Sequence, residues 1–212
     1  MIRWLAEATS DWATSAAQTE VTWPERDMRL SKANYYADIV VYPVIITALA
    51  VGEFSSAAAP YHWLVACCLG FVSWTLIEYI IHRFVFHVVP PALQMHLDHH
   101  AEPRATIGTP IWLSVAAFAV GGFLPIWSYS GLETASGGLV GLLVGYIWYV
   151  VLHHAVHHWR IESTSWLYTA KLRHTTHHYR SDDCNFGVTT GFWDWVFGTA
   201  LDMRSAKSQQ RG

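Results

Sequence analysis

Twelve of the chain's 13 histidines fall into two blocks, and their spacing within each block is that of metal ligands. Residues 78–100 read EYIIHRFVFHVVPPALQMHLDHH and carry His82, His87, His96, His99 and His100. The second block holds His153, His154, His157 and His158, then His174, His177 and His178. A loose metal buffer would show an unbroken His-rich tract; these residues are spaced. Residues i, i+3 and i+4 share one face of a helix. On that rule His96, His99 and His100 converge on one point, and so do His174, His177 and His178. His153 and His157 pair one turn apart. His154 and His158 form the same pair about 100° around the helix, and geometry alone does not choose between the two pairs. His82 and His87 are five apart, about 140° around a helix of 3.6 residues per turn. They need not bind the same ion, but they can flank two. Ten candidates exceed the three or four ligands of one tetrahedral zinc, so two ions are expected. Imidazole suits iron, zinc, copper and nickel alike, which leaves the metal and its chemistry open, zinc hydrolysis or a structural zinc pair included.

Metal-bound imidazoles usually donate their second N–H to a carboxylate or carbonyl. Glu78, one turn before His82 on an otherwise apolar helix, is the favoured acceptor. Asp98, Asp182 and Asp183 have the competing reading of solvated loop charges.

Each block comes directly after a long apolar segment, so the elements that position the histidines are read as membrane helices. Four segments qualify: 35–54, with Pro43 inside it; 61–81, ending on His82; 109–129; and 135–152, ending on His153. The third has about 20 residues, enough for a hydrocarbon core of about 30 Å. The fourth has 18, or about 27 Å. SSAAAP and GLETASGG are expected loops between them. All 13 Lys and Arg lie before the first segment, between the second and third, or after the fourth. Positive residues mark the cytoplasmic side, so both termini and both histidine blocks are expected there. A soluble helical bundle does not explain that partition.

Composition agrees. Apolar residues make up 52% and charged residues only 14%, below the roughly 25% of soluble domains. Twelve Trp and ten Tyr suit membrane–water interfaces. A formal net charge of −3 with no basic stripe argues against nucleic acid as a partner. Cys67, Cys68 and Cys184 read as reduced packing thiols, and no cleavable signal is evident. The expected fold is therefore an all-α integral membrane protein: residues 1–34 a cytosolic tail, 35–200 a membrane domain of about four transmembrane helices with a cytosolic helical cap carrying the dimetal site, 201–212 a polar tail.

The stretches EYIIHRFVFH, HLDHH, GYIWYVVLHHAVHH, HTTHH and NFGVTTGFWDWVFGT, over residues 71–199, resemble the membrane fatty acid hydroxylase / sterol desaturase superfamily. The first and last look most like its fatty acid 2-hydroxylase branch. The resemblance implies a dimetal centre, usually taken as diiron, that oxidises a lipid C–H bond with dioxygen and two electrons. Zinc can replace iron on purification. Carried over motif by motif, the ligands are His82, His87, His96, His99, His100, His153, His157, His174, His177 and His178. His154 and His158 become neighbours that support the ligands, with Glu78. Arg83 and Arg104 are candidates to hold a lipid headgroup or to reach the interface. The chain has no flavin fingerprint, iron–sulfur cysteine set or haem-attachment motif, so an external ferredoxin- or cytochrome-type electron donor is expected. The competing activities are carotenoid ring hydroxylation and sterol or lipid desaturation. A non-enzymatic metal-binding or metal-transport membrane protein is the competing class, and a transporter would place its ligands along a mid-membrane path.

Overall fold

A computed structural model describes residues 28–56 and 61–201. Among them every regular element is helical, with one isolated antiparallel bridge between Arg29 and Ile107. Ser31 caps the short α1 (Lys32–Tyr35), its hydroxyl accepting from the Asn34 amide at 3.2 Å. α2 (Ala37–Ser56) contains Pro43. α3 (Tyr61–Ile80) continues into a wider π-type stretch, Ile81–Phe86. α4 (Ala92–Ala101) starts after Pro90 and Pro91, where the missing N–H groups stop the preceding helix. α5 (Ile111–Ala117) passes through a second π stretch, Phe118–Phe123, into α6 (Leu124–His158). α7 (Leu167–Tyr179) and α8 (Phe192–Val196) follow. The expected tails at 1–27 and 202–212, and Ala57, Ala58, Ala59 and Pro60 of the expected first loop, lie outside the described residues.

Among the described residues three helical runs are long and apolar enough to cross a membrane: Ala37–Ser55, Tyr61–Phe86 and Ile111–His158. Lipid offers no partner for a free backbone group, so a chain of this composition crosses it as helix. The protein is an integral membrane protein, and the side chains its helices leave exposed include Val40, Val44, Leu69, Val72 and Trp112.

The third run, of 48 residues, bends once. Gly131 has φ +82° and ψ 173°, a backbone region that glycine alone enters freely. The two limbs then pack against each other. The rings of Phe118 and Tyr146 are 5.2 Å apart, a Cβ on Gly122 would meet Leu142, and a Cβ on Gly138 would meet Ile126. Each pair is centred on residue 132, as in an antiparallel hairpin. The loop expected over 131–138 is therefore corrected: only Gly131 leaves the helix. The other glycines there let α6 approach α3. A Cβ on Gly137 would lie 2.6 Å from the Trp63 carbonyl oxygen, one on Gly141 2.0 Å from that of Cys67, and one on Gly145 2.7 Å from the Trp74 side chain. Glycines four apart make a flat stripe for close helix contact.

Along this stripe α6 and α3 advance together, so the two helices are parallel and end at the same level. α2 runs the other way: Tyr42 packs on Tyr146, and Tyr35 reaches His154. Tyr42, Trp74, Leu142, Leu143 and Tyr146 form the core between them. The buried Asp38 accepts a 2.7 Å hydrogen bond from Tyr146 Oη there. The C-terminal ends of α3 and α6, the start of α2 and the helices α4 and α7 thus gather at one end of the bundle.

Candidate metal centre

Ten imidazoles meet at that end, and they divide into two groups of five. One contains His82, His87, His96, His100 and His177; the other contains His99, His153, His157, His174 and His178. Each imidazole offers one ring nitrogen, and within each group these five atoms lie within 4.8 Å of one another.

The first group depends on the π stretch after α3. His82 lies inside it and His87 directly follows it. Hydrogen bonds there run from i to i+5, so residues five apart stand one turn apart. The two rings are 5.4 Å apart and face the same group. The 140° separation expected from an ordinary α-helix does not apply, which is why the pair does not flank two groups.

The two triples also behave differently from expectation. His96 and His100 stay together, with Nε2 atoms 3.0 Å apart, and His174 and His178 do the same at 3.0 Å. The remaining member of each triple crosses over: His99 of α4 joins the group on α6, and His177 of α7 joins the group on α3. Positions i+3 and i+4 differ by about 100° around a helix, so one triple can face two sides. Each group therefore combines a pair from the end of a long helix, a pair from a cap helix and a single imidazole from the other cap helix. His100 and His178 stack at 4.1 Å where the groups adjoin.

Inside the groups the Nε2 atoms face one another. His82 and His177 present Nδ1 to the carbonyl oxygens of Phe186 and Cys184. A carbonyl only accepts, so both rings carry their proton on Nδ1 and keep a lone pair on Nε2. His82 Nε2 lies 3.1 Å from His96 Nε2, and His177 Nε2 lies 3.1 Å from His100 Nε2 and 3.3 Å from His87 Nε2. In the other group His157 Nε2 is 2.8 Å from His174 Nε2 and 3.2 Å from His153 Nε2. Both ring nitrogens of His99 are buried without a hydrogen-bond partner. Clustered lone pairs repel, and a shared cation reverses the sign. Nitrogens about 2.0–2.1 Å from a common ion and at right angles to one another stand about 2.9 Å apart, so these separations fit metal coordination.

Electrostatics keep the imidazoles neutral. Burial, reinforced by neighbouring imidazoles, pushes His99 and His100 down to about 4 and His177 to about 3, although the Cys184 carbonyl bond opposes the shift at His177 and Asp182 opposes it at His100 and His177. His96, His174 and His178 move further in the same direction, again chiefly through burial. A neutral imidazole is the form that ligates a metal.

Sequence reasoning missed the loop that orients these rings. Asp194 is fully buried and accepts from the amides of Phe186 (2.8 Å) and Gly187 (2.9 Å) and from Thr199 Oγ1 (2.8 Å). Asn185 sits in the left-handed region at φ 54°, which turns the chain so that the Cys184 and Phe186 carbonyls both reach the first group. The signal was present in NFGVTTGFWDWVFGT, where an Asp and a Thr stand among aromatics. Glu78 needs correction. Its carboxylate hydrogen-bonds the backbone and not a histidine: Oε1 accepts from the amides of Val188 (2.7 Å) and Thr189 (3.0 Å), and Oε2 from the Thr189 hydroxyl. Backbone carbonyls take the place it was expected to fill, and Glu78 secures the segment that follows them. The second pair on α6 is His154 and His158. They belong to neither group; they stack on each other at 4.1 Å, and His154 Nδ1 lies 3.2 Å from Tyr35 Oη. The 100° offset turns them to the α1 side of α6. Arg83 donates to Tyr79 Oη at 2.8 Å, and Arg104 to the His157 carbonyl at 3.2 Å.

The fatty acid hydroxylase family model matches residues 67–199. The chain is similar to the fatty acid 2-hydroxylase of Mus musculus, with 29% identity over 179 residues, which cover 79% of this chain and 48% of that protein. It is also similar to the dihydroceramide fatty acyl 2-hydroxylase FAH2 of Arabidopsis thaliana, at 29% identity over 77% of this chain and 72% of that protein. A solved structure, full-length scs7p with only the hydroxylase domain visible, superposes with a TM-score of 0.68 at 28% identity, covering 82% of this chain and 68% of that one. The chain thus spans about half the length of the mouse protein.

Proposed function

The chain belongs to the fatty acid hydroxylase family, and on that premise we propose that it hydroxylates the acyl chain of a membrane lipid. The observation that carries the reading is the pair of five-imidazole groups side by side where two parallel apolar helices end. One metal ion is held by His82, His87, His96, His100 and His177, the other by His99, His153, His157, His174 and His178, and iron is the metal assigned. When bound, the ions supply the redox chemistry with dioxygen that an unactivated C–H bond requires. One oxygen atom enters the C–H bond, the other leaves as water, and two electrons and two protons are consumed.

The chain's own residues fix the geometry of the site. The Phe186 and Cys184 carbonyls hold the ring protons of His82 and His177, which keeps their lone pairs directed inward. Glu78 and Asp194 hold the loop that carries those carbonyls. The acyl chain lies along the apolar helices with its headgroup at the interface, so that one C–H is positioned near the metals. The relatives' names place hydroxylation at position 2 of a fatty acyl chain, and that position is assigned here by analogy. All Lys and Arg among the described residues lie at the histidine end, which supports reading that end as cytoplasmic, and the proposed topology has both termini on that side. The electrons come from an external ferredoxin- or cytochrome-type carrier that docks on this face.

Turnover in isotopically labelled dioxygen tests the assignment. With a reductase system and lipid, the expected product is a hydroxyacyl lipid carrying the label. An unlabelled double bond would make the protein a desaturase, a labelled hydroxyl on a carotenoid ring would change the substrate, and turnover without dioxygen would refute the reading.

A further inference from the structure

The segment after the last histidine motif does not stay beside the histidines. It turns back along α3 toward the middle of the bundle. Tyr79 Oη and Thr199 Oγ1 are 3.0 Å apart, the Tyr79 ring stacks on Phe197 at 5.2 Å, and Trp193 Nε1 donates to Thr75 Oγ1 at 2.9 Å. The apolar run Tyr61–Phe86 has 26 residues, about 39 Å of helix at 1.5 Å per residue. That exceeds a hydrocarbon core of about 30 Å by about 9 Å. With the excess shared between both ends, the boundary falls about three residues before Phe86, at Arg83. An arginine suits that level, with its stem in the apolar layer and its head at the interface. Thr75 then lies about 12 Å inside the boundary, and α8 lies at its depth.

Two further observations fit that depth. The side chains that α8 and the residue after it turn outward are apolar, namely Phe192, Trp195, Val196 and Phe197, and Trp195 is 73% exposed. They continue the exposed apolar flank of α3 at Val72, Ile80 and Phe84. The turn also satisfies its own backbone. The Trp195 and Phe197 amides bond to the Gly191 and Trp193 carbonyls, and those of Thr199 and Ala200 both bond to the Asp194 carbonyl. Non-helical backbone survives at membrane depth only when its polar groups are met in this way.

We infer that residues 191–198 form a re-entrant wedge whose aromatic face rests among the acyl chains of bilayer lipids beside α3. The inference rests on the membrane-spanning reading of α3 and goes beyond the proposed reaction. A photoreactive benzophenone amino acid tests it when placed at position 195, 72 or 179 and irradiated in phosphatidylcholine nanodiscs. Val72 is 59% exposed on α3, and Tyr179 is 70% exposed on the cap. The expected result is a mass increase of one lipid at 195 and at 72, and none at 179. An adduct at 72 without one at 195, or equal adducts at 195 and 179, would overturn the wedge. No adduct at 72 would instead overturn the spanning helix beneath it. Position 192 provides a second probe on the same face if the 195 variant fails to accumulate, and the same outcomes apply there.

Discussion

Asp194→Asn and Glu78→Gln are isosteric exchanges of two buried carboxylates that hold the same loop, and they should have opposite outcomes. In Glu78 both backbone amides bond to Oε1, while Oε2 meets only the Thr189 hydroxyl. A Gln can keep its oxygen on the amides and donate to the hydroxyl, which rotates to accept. In Asp194 the amides are divided, Phe186 on Oδ1 and Gly187 on Oδ2. Either orientation of an Asn amide therefore aims an NH₂ at a buried backbone N–H. A buried donor left unmet costs about 1–3 kcal/mol, which corresponds to loop opening about 5- to 150-fold more frequent. Amide hydrogen exchange reads that opening at Phe186 and Gly187. In Asp194→Asn their exchange should accelerate by that factor, whereas in Glu78→Gln the Val188 amide should stay within about fivefold, since the change there is under about 1 kcal/mol. Metal content should follow, because the loop orients only His82 and His177, both of the first group: Asp194→Asn should lose one of two ions per chain. Equal exchange in the two variants, or a Gly187 amide as protected in Asp194→Asn as in the parent, would refute the reasoning.

Three further outcomes follow. His99→Ala should remove the same ion as His153→Ala, so that the double variant loses no more than either single one. Combining His99→Ala with His96→Ala should remove both ions, and elemental analysis after anaerobic purification would expose the opposite pattern. His154→Ala should retain both ions and its activity, whereas His157→Ala should lose an ion; metal loss from His154→Ala alone would contradict the division between the His153/His157 and His154/His158 pairs. Acid should destabilise the metal-stripped protein. An unfolded histidine titrates near 6.5, whereas the fold holds His99 and His100 at about 4. The unfolded chain binds more protons between those values, so stability is full above about pH 6.5 and declines as pH falls toward 4. A thermal midpoint at pH 5 equal to or above that at pH 7.5 would contradict this.

Much of this arrangement was legible in the residues. Long uncharged runs gave away the membrane helices, because lipid leaves backbone no alternative to helix. Ligand spacing brought twelve histidines into view, and the family resemblance picked out the ten that come together. What the sequence hid was phase. His82 and His87 share a group because five residues make one turn of a π stretch, and nothing in IHRFVF signals that widening. His99 and His177 change groups because two cap helices lie between two sites, a tertiary fact that a one-helix projection omits. GLETASGG reads as a loop by composition, yet its glycines serve close packing and only Gly131 breaks the helix. Glu78 was singled out for the right reason, a charge in an apolar helix, but its partners come from a loop 110 residues away.

The crossing of His99 and His177 also sets an order of assembly during synthesis. By the time residue 100 has been made, the chain holds four of the five imidazoles of the first group, and only His99 of the second. The next 77 residues, up to His177, take about 4–15 s at 5–20 residues per second. Throughout that interval the first group lacks His177, and His82 lacks the Phe186 carbonyl that orients it. Neither group is therefore complete until α7 is made, and His177 and His178 complete the two within one residue of each other.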